Sequence, residues 1–520
     1  MLDRREFLRL AAIAAGAGLA GAGCTREAKP HAQASSPVAT PAPSPTGTPG
    51  PPPWSELRIT GPLVRPGGAG YDRVRLLFQP LFDGVRPAAI ARCASARDVQ
   101  RCVAFAVAHS VSLALRSGGH SYTGTSTGPG LVVDTSALAT VTVSGDSAVI
   151  GPGAQLVDVY DVLAGHGRAI SAGSCATVGL AGLTLGGGIG VLSRAWGLTC
   201  DSLVAAEVVT ADGVLRRCDA THQPDLFWAC RGGGGGNFGV VTSLTLRTRP
   251  VPSVSVAFLG WNWRQARAVL SAWQSLAPTA PPSVWSNCHV LSDAGSATAK
   301  VSVGVAALSA AEGRAFIAAL TARVGVDPAG RSVSTLSYRS AMLLEAGCSQ
   351  RTVLQCHLAG LSAAGTLPRQ PFAAKSDMFT HPLSAAGISA VIAGVERRQG
   401  MHGWAEGGVA FDAFGGAIGQ VAPDATAFAH RAALFSAQYT AGWRVGDPAG
   451  IVAGNLSWLR TFHTSMRPYA SGGAYLNYAD PDLADYPTAY WGTNYRRLQK
   501  VKATYDPQEV FTSPQAVRPG

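Results

Sequence analysis

From about residue 54 the chain alternates two hydrophobic rhythms. Between Ala96 and His109, the positions Val99, Cys102, Val103 and Ala106 recur at helical spacing and predict a helix with one buried face. Ser112-Leu113-Ala114-Leu115 and Leu131-Val132-Val133 are short apolar runs, the pattern of buried strands. Ala148-Val149-Ile150 leads into a turn at Gly151-Pro152-Gly153, and Gln155 to His166 reads as a helix. Glu207 to Thr210 is a strand that turns through Ala211-Asp212-Gly213 into Val214-Leu215, a hairpin signal.

After Pro250 the rhythm changes. Val254 to Phe258 and Lys300 to Leu308 are strand-like, and Arg264 to Leu276 places Ala266, Val269, Leu270, Trp273 and Leu276 on one helical face. Ser309-Ala310-Ala311-Glu312 is a capping box that opens a helix to about Val324. Strands followed by helices packed on one face predict an α+β architecture, with an antiparallel sheet backed by helices. The last fifty or so residues are rich in aromatics again. The expected organisation is a first domain over 54–250, a second over 251–465, and a segment 466–520 that completes the first.

The N-terminus does not belong to this pattern. Arg4-Arg5-Glu6-Phe7-Leu8 and the apolar run from Leu10 to Gly23 resemble a twin-arginine export signal over residues 1–28. The run is shorter than the about 20 apolar residues that span a bilayer. Gly21-Ala22-Gly23-Cys24 resembles a lipoprotein box with Cys24 as lipid acceptor, although Gly21 stands where Leu is usual. Ala20-Gly21-Ala22 would equally serve an ordinary signal peptidase. Residues 29–53 are a proline-dense, semi-rigid tether. The expectation is an exported, extracellular or cell-surface protein, monomeric, that meets a membrane only through a lipid at Cys24.

Charge excludes one class of partner. The net charge of +11 comes almost entirely from arginine, scattered along the chain without the clustered basic face that nucleic-acid binding needs. No metal site is expected. Among the ten cysteines, Cys348 and Cys356 flank a short polar stretch and suit a disulfide in an oxidising compartment.

The chemistry lies in three glycine clusters, each beside a buried strand. Arg116-Ser117-Gly118-Gly119-His120-Ser121 follows the first; its glycines let backbone N–H groups turn inward around anionic oxygens. Gly173-Ser174-Cys175-Ala176-Thr177-Val178-Gly179 runs on through Gly182, Gly186, Gly187, Gly188 and Gly190. That run is too rich in glycine for a stable regular helix, at about 1 kcal/mol per glycine relative to alanine. Arg231 to Gly239 repeats the idea, ahead of Val240. Three such clusters fit one large ligand; the first is not the G-x-G-x-x-G of a nicotinamide site, and no such unit appears at a place suitable for one.

These segments resemble the berberine bridge enzyme-like family of the vanillyl-alcohol oxidase group. The resemblance rests on Arg-Ser-Gly-Gly-His-Ser-Tyr at 116–122, Gly-Ser-Cys-x-Thr-Val-Gly at 173–179, the glycine run to Gly190, and Arg194 with Gly197 to Asp201. Asp225 to Gly233, Tyr475 to Asp480, Gly492, Asn494, Arg497-Leu498 and Asp506-Pro507 extend it over nearly all of the chain from about residue 75. It implies a p-cresol methylhydroxylase-type FAD fold in two sequence pieces around a substrate domain. It also implies FAD bonded twice, by His120 to the 8α-methyl and by Cys175 to C6 of the isoalloxazine. A thiolate and a neutral imidazole are side chains able to bond an electron-poor ring.

By the same resemblance Tyr478 is the base for an alcohol proton. A phenol, with a reference pKa near 10, needs a lowered pKa or a helper. Strand alternation over Tyr475-Leu476-Asn477-Tyr478 would put Tyr478 and Leu476 on one face and Tyr475 and Asn477 on the other. Asp412 is either the helper or a turn residue before Gly415-Gly416, and Tyr122 is a wall of the site. Val178, three residues after Cys175, stands where the family carries a gate for dioxygen: Val in oxidases, Leu or Ile in dehydrogenases. The implied reaction is oxidation of a CH–OH group of a small molecule, with dioxygen as acceptor and peroxide as product. A dehydrogenase using another acceptor, or a flavin-bearing surface protein without turnover, are the alternatives. Trp261, Trp263, Trp273 and Trp285 would either stack on substrate or fill the core.

Overall fold

The computed structural model describes residues 52–401 and 405–520. The export signal, Cys24 and nearly all of the tether therefore lie outside the described residues. Two sheets carry the first half of the chain. In the smaller, Ala89–Arg92, Leu131–Asp134 and Leu113–Arg116 pair in parallel, with Leu63–Val64 antiparallel at the edge. The helix Ala96–Ala108 starts at Ser95, whose side chain accepts from the Asp98 N–H, and it buries Val99, Cys102, Val103 and Ala106 as its spacing predicts.

The second sheet is antiparallel and five-stranded, in the order Val141–Ser144, Ser147–Ile150, Val240–Arg247, Leu203–Val209, Leu215–Asp219. Its last two strands are the expected hairpin. The C-terminal stretch returns to this region: Tyr490, Trp491, Leu498, Val501 and Val517 are buried in one core with Ile150, Leu156, Leu203 and Phe238.

Residues 253–442 build a seven-stranded antiparallel sheet. Its order is Gly330–Ser337, Ser253–Trp261, Lys300–Ala307, Val284–Ser292, Gly407–Ala413, Phe435–Gly442, Phe372–Phe379. One face is covered by the helices Ala266–Leu276, Ala310–Val324, Ala385–Gln399 and Ala449–Met466, which share a core with Val303, Phe411 and Phe435. Alternation along the strands sends Asn287, Asp412, Ser436 and Gln438 to the other face.

Two elements depart from the expected pattern. The segment read as one helix from Arg264 opens as a 3₁₀ turn, Trp263–Gln265, before the α-helix Ala266–Leu276. Ser309 caps its helix by accepting from the Glu312 N–H, but the Glu312 carboxylate turns away to accept from the Ser283 hydroxyl. Cys348 and Cys356 form the expected disulfide, with Cα atoms 6.0 Å apart. Trp261, Trp273 and Trp285 are core residues, and Trp263 donates its indole N–H to Glu396 at 2.9 Å.

Candidate active site

A cavity of about 420 Å³ runs between the glycine-bearing loops and the C-terminal segments around Tyr478 and Ser513. That lies in the 300–1,000 Å³ range of cofactor sites. Its first wall follows the strand Leu113–Arg116. Arg116 is buried and staples the loop, donating to the Ser126 carbonyl at 3.1 Å and the Val74 carbonyl at 2.6 Å. Ser117 donates to the Pro152 carbonyl, and Gly119 takes a positive φ of 72°. His120 is then held from two sides. Its Nε2 lies 2.8 Å from Thr177 Oγ1, and its ring stacks on Phe78 at 4.2 Å. Burial pulls its pKa down to about 3, so the imidazole is neutral.

The second wall carries Cys175. The helix Leu156–Gly165 has no side-chain cap; its first N–H groups instead donate to the Val178 carbonyl (3.1 Å) and the Ala176 carbonyl (3.0 Å). The loop thus gains order by serving as the helix cap. Cys175 opens into the recess and not onto a convex surface, so the cavity walls surround its thiol. Burial raises its thiol pKa, so the resting form is the protonated thiol and not the thiolate. The two loops touch through their glycines. A Cβ on Gly118 would sit 2.2 Å from the Gly179 nitrogen, and one on Gly179 would sit 2.0 Å from Ser117 Oγ. Gly182, Val178, Gly239 and Val240 line the cavity as well, and a Cβ on Gly182 would meet nothing within 4 Å.

Several residues assigned to the cofactor do other work. Gly182 lies inside a short helix, Leu180–Leu185, that the glycine content argued against; packing outweighs the propensity cost. Gly186, Gly187, Gly188 and Gly190 do not line the cavity. A Cβ there would strike Asn477 (2.0 Å), Phe428 (2.9 Å), Thr199 (2.2 Å) or the Ala172 carbonyl (1.8 Å), so protein neighbours explain them. The Asp201 carboxylate accepts both Arg431 Nη atoms at 2.7 and 2.8 Å and the Leu198 N–H. Asn494 donates to the Pro423 and Thr426 carbonyls. Ser121 lines the cavity while bonding Thr125.

At one end of the cavity aromatic rings gather. Leu476–Tyr478 is a 3₁₀ turn, closed by the Tyr478 N–H donating to the Tyr475 carbonyl at 2.9 Å, and not a strand. Tyr475 and Tyr478 therefore meet edge to face at 4.8 Å instead of lying on opposite faces. Tyr475 accepts from the Gly188 and Ile189 N–H groups at 2.9 and 3.3 Å and fixes the glycine run. Tyr478 stacks on Tyr122 at 5.7 Å and 14°. Gln438, from the polar sheet face, donates to the Tyr122 hydroxyl at 2.9 Å.

The surroundings do not lower the Tyr478 pKa. Burial and the neighbouring Asp412 raise it well above the ordinary value. Asp412 is a strand residue opposite Asn287 and Ser436, not part of the following turn. Burial pushes its carboxyl up to about 7. Glu345, at the end of the helix Tyr338–Glu345, is buried and likewise pushed up to about 7 by burial and by Asp412. Nothing in its local pattern marked it; only the tertiary fold brings it near Asp412. Among the described residues no group of His, Cys, Asp or Glu is arranged to hold a metal ion.

Comparison with known proteins agrees with this geometry. A family model described as FAD binding domain matches residues 87–219, and one described as berberine and berberine like matches 474–518. The chain is 32% identical over 471 residues to the uncharacterised FAD-linked oxidoreductase YgaK of Bacillus subtilis (strain 168), covering 89% of this chain and 98% of the relative. It is 31% identical over 467 residues to berberine bridge enzyme-like D-1 of Nicotiana tabacum, covering 79% of each. A solved chitooligosaccharide oxidase superposes with a TM-score of 0.79 at 26% identity, over 90% of this chain and 99% of that one.

Proposed function

The chain belongs to the berberine bridge enzyme-like family of FAD-linked oxidoreductases, and from that premise we propose that it is a bicovalently flavinylated oxidase of CH–OH groups. The substrate class is a sugar, an oligosaccharide or a secondary-metabolite alcohol. The observation that carries the reading is the convergence of His120, Cys175 and Tyr478 on the walls of one cavity.

The residues present suit FAD. His120 is neutral and tethered, as bonding to the 8α-methyl requires. Cys175 opens into the same recess and, as its thiolate, would be the residue that holds the ring at C6. The open space over Gly182 leaves room for a flat group against the backbone. Bound FAD supplies a hydride acceptor. Tyr478 takes the hydroxyl proton as the carbinol carbon gives up hydride, leaving a carbonyl product. Because the phenol holds its own proton tightly, it needs Asp412 to draw that proton away. Tyr122, held by Gln438, packs against Tyr478 and limits its motion. Dioxygen takes the two electrons and two protons and leaves as hydrogen peroxide, and Val178 is the wall residue whose size would govern its access. The chitooligosaccharide oxidase likeness supports an alcohol of the sugar type. The signal and tether at residues 1–53 make this an exported enzyme, held to a surface if Cys24 is lipidated.

The test is anaerobic mixing of the yellow protein with a panel of sugars, oligosaccharides and aromatic alcohols. Bleaching by at least one, followed by peroxide on admitting air, is the expected result. No bleaching by any CH–OH compound would contradict the oxidase reading. Bleaching followed by reoxidation only with a quinone or dye would make the enzyme a dehydrogenase.

A further inference from the structure

We propose that Lys375 is a positioning residue for Tyr478, acting through the carboxylate of Asp480. The inference rests on Tyr478 being the base and deepens that reading.

Phe372–Phe379 is one of the two edge strands of the seven-stranded sheet. The segment that carries Tyr478 docks along it. Ser471 donates its N–H to the Met378 carbonyl at 2.9 Å, the Met378 N–H donates to the Gly473 carbonyl at 2.9 Å, and the Tyr475 N–H donates to Ser376 Oγ at 2.9 Å. These contacts fix the chain before Tyr478. Two residues after it, Lys375 Nζ donates to both Asp480 oxygens, at 2.6 and 2.8 Å, and to Asp482 Oδ2 at 2.8 Å. Lys375 and Asp480 are 5% and 4% exposed, so the pair is out of bulk water.

Asp480 is also where three parts of the chain meet. Its N–H donates to the Tyr490 hydroxyl at 3.0 Å, and its carbonyl accepts from Gln515 Nε2 at 2.7 Å. Gln515 and Tyr478 line the same cavity. The Tyr478 backbone is thus suspended between Tyr475 and Asp480, and Lys375 is the only sheet residue gripping the second point among the described hydrogen bonds. A compact ammonium can satisfy two carboxylates converging on one point. Arginine supplies almost all the other positive charge of this chain, while Arg460 Nε shares Asp482 Oδ2 with Lys375 at 2.8 Å and Arg460 Nη2 reaches Oδ1 at 3.4 Å.

The test is a double-mutant cycle read by stopped-flow flavin reduction with a working alcohol. Lys375→Met should slow reduction about 10- to 100-fold, the scale of a misplaced catalytic group, with little change in the substrate Kd. In a Tyr478→Phe background the same change should have under about twofold effect, because the group being positioned is gone. Lys375→Arg should restore part of the rate. A 3-fluorotyrosine placed at 478 should give one sharp ¹⁹F line in the parent and a shifted or broadened line in Lys375→Met. If Lys375→Met yields no folded yellow protein, Asp480→Asn is put through the same cycle. Equal slowing in both backgrounds, or an unchanged rate, overturns the proposal. If Tyr478→Phe alone leaves reduction unchanged, it is the assignment of the base that fails.

Discussion

At the scale of single residues, burial raises the pKa of both Asp412 and Tyr478. Asp412, with its carboxyl near 7, sits beside a phenol whose pKa is raised. If the Asp412 carboxylate helps Tyr478, the rate of flavin reduction rises with pH through about 7, and Asp412→Asn removes that limb and lowers the plateau. A profile unaltered by Asp412→Asn would rule out the assistance. Glu345 gives a stability prediction with a definite sign. Its folded-state pKa of about 7 lies above its ordinary value, so between about pH 4.5 and 7 the native state binds more protons than the unfolded one. Its contribution to stability therefore falls as pH rises through that window. Glu345→Gln should gain stability over the parent by about 1–3 kcal/mol at pH 8 relative to pH 4.5, at about 1.4 kcal/mol per pKa unit. Urea unfolding at both pH values measures it; a difference independent of pH would refute the assignment. Tyr478 was legible as a motif, but its orientation was not. Alternation presumes a strand, and one hydrogen bond to the Tyr475 carbonyl folded the segment into a turn instead.

At the scale of elements, the glycine clusters divide into two kinds that the sequence does not distinguish. Gly118 and Gly179 let two loops touch, Gly186 to Gly190 make room for Asn477, Phe428, Thr199 and Ala172, while Gly182, Gly235 and Gly236 line the cavity with no neighbour closer than 3.7 Å to an added Cβ. A glycine run shows that something comes close, not whether it is ligand or protein. Two substitutions separate the cases. Gly182→Ala should fold at least as well as the parent, since alanine favours the helix Leu180–Leu185 by about 1 kcal/mol, yet take up less FAD. Gly118→Ala should lower both stability and FAD content by driving the loops apart. Thermal melting and flavin-to-protein absorbance report the two effects. A Gly182→Ala protein with full FAD content would show that the cofactor does not lie there. The helix Ala96–Ala108, the hairpin at Asp212 and the disulfide were readable because each depends on neighbours in sequence.

At the scale of the whole molecule, the sequence supports an antiparallel sheet backed by helices but not its strand order. Pairings such as Asn287 with Asp412 join residues far apart in the chain, and only packing of the finished sheet selects them. That same non-local assembly brings Asp412, Gln438 and Lys375 from the sheet to the loops bearing Tyr122 and Tyr478. One consequence concerns the acceptor. Val178 caps a helix through its carbonyl, lines the cavity and packs against the hydrophobic core. Val178→Ile should therefore leave anaerobic reduction nearly intact and slow reoxidation by oxygen; equal oxygen reactivity in both proteins would remove Val178 from that role.

The proposed function requires that His120 and Cys175 both bond one flavin. Precipitating the protein in acid and measuring flavin absorbance in pellet and supernatant decides it. The wild type, His120→Ala and Cys175→Ala should each keep yellow flavin in the pellet, and the double variant should release it. Free FAD in the supernatant of the wild type, or loss of all covalent flavin from either single variant, would contradict the double attachment.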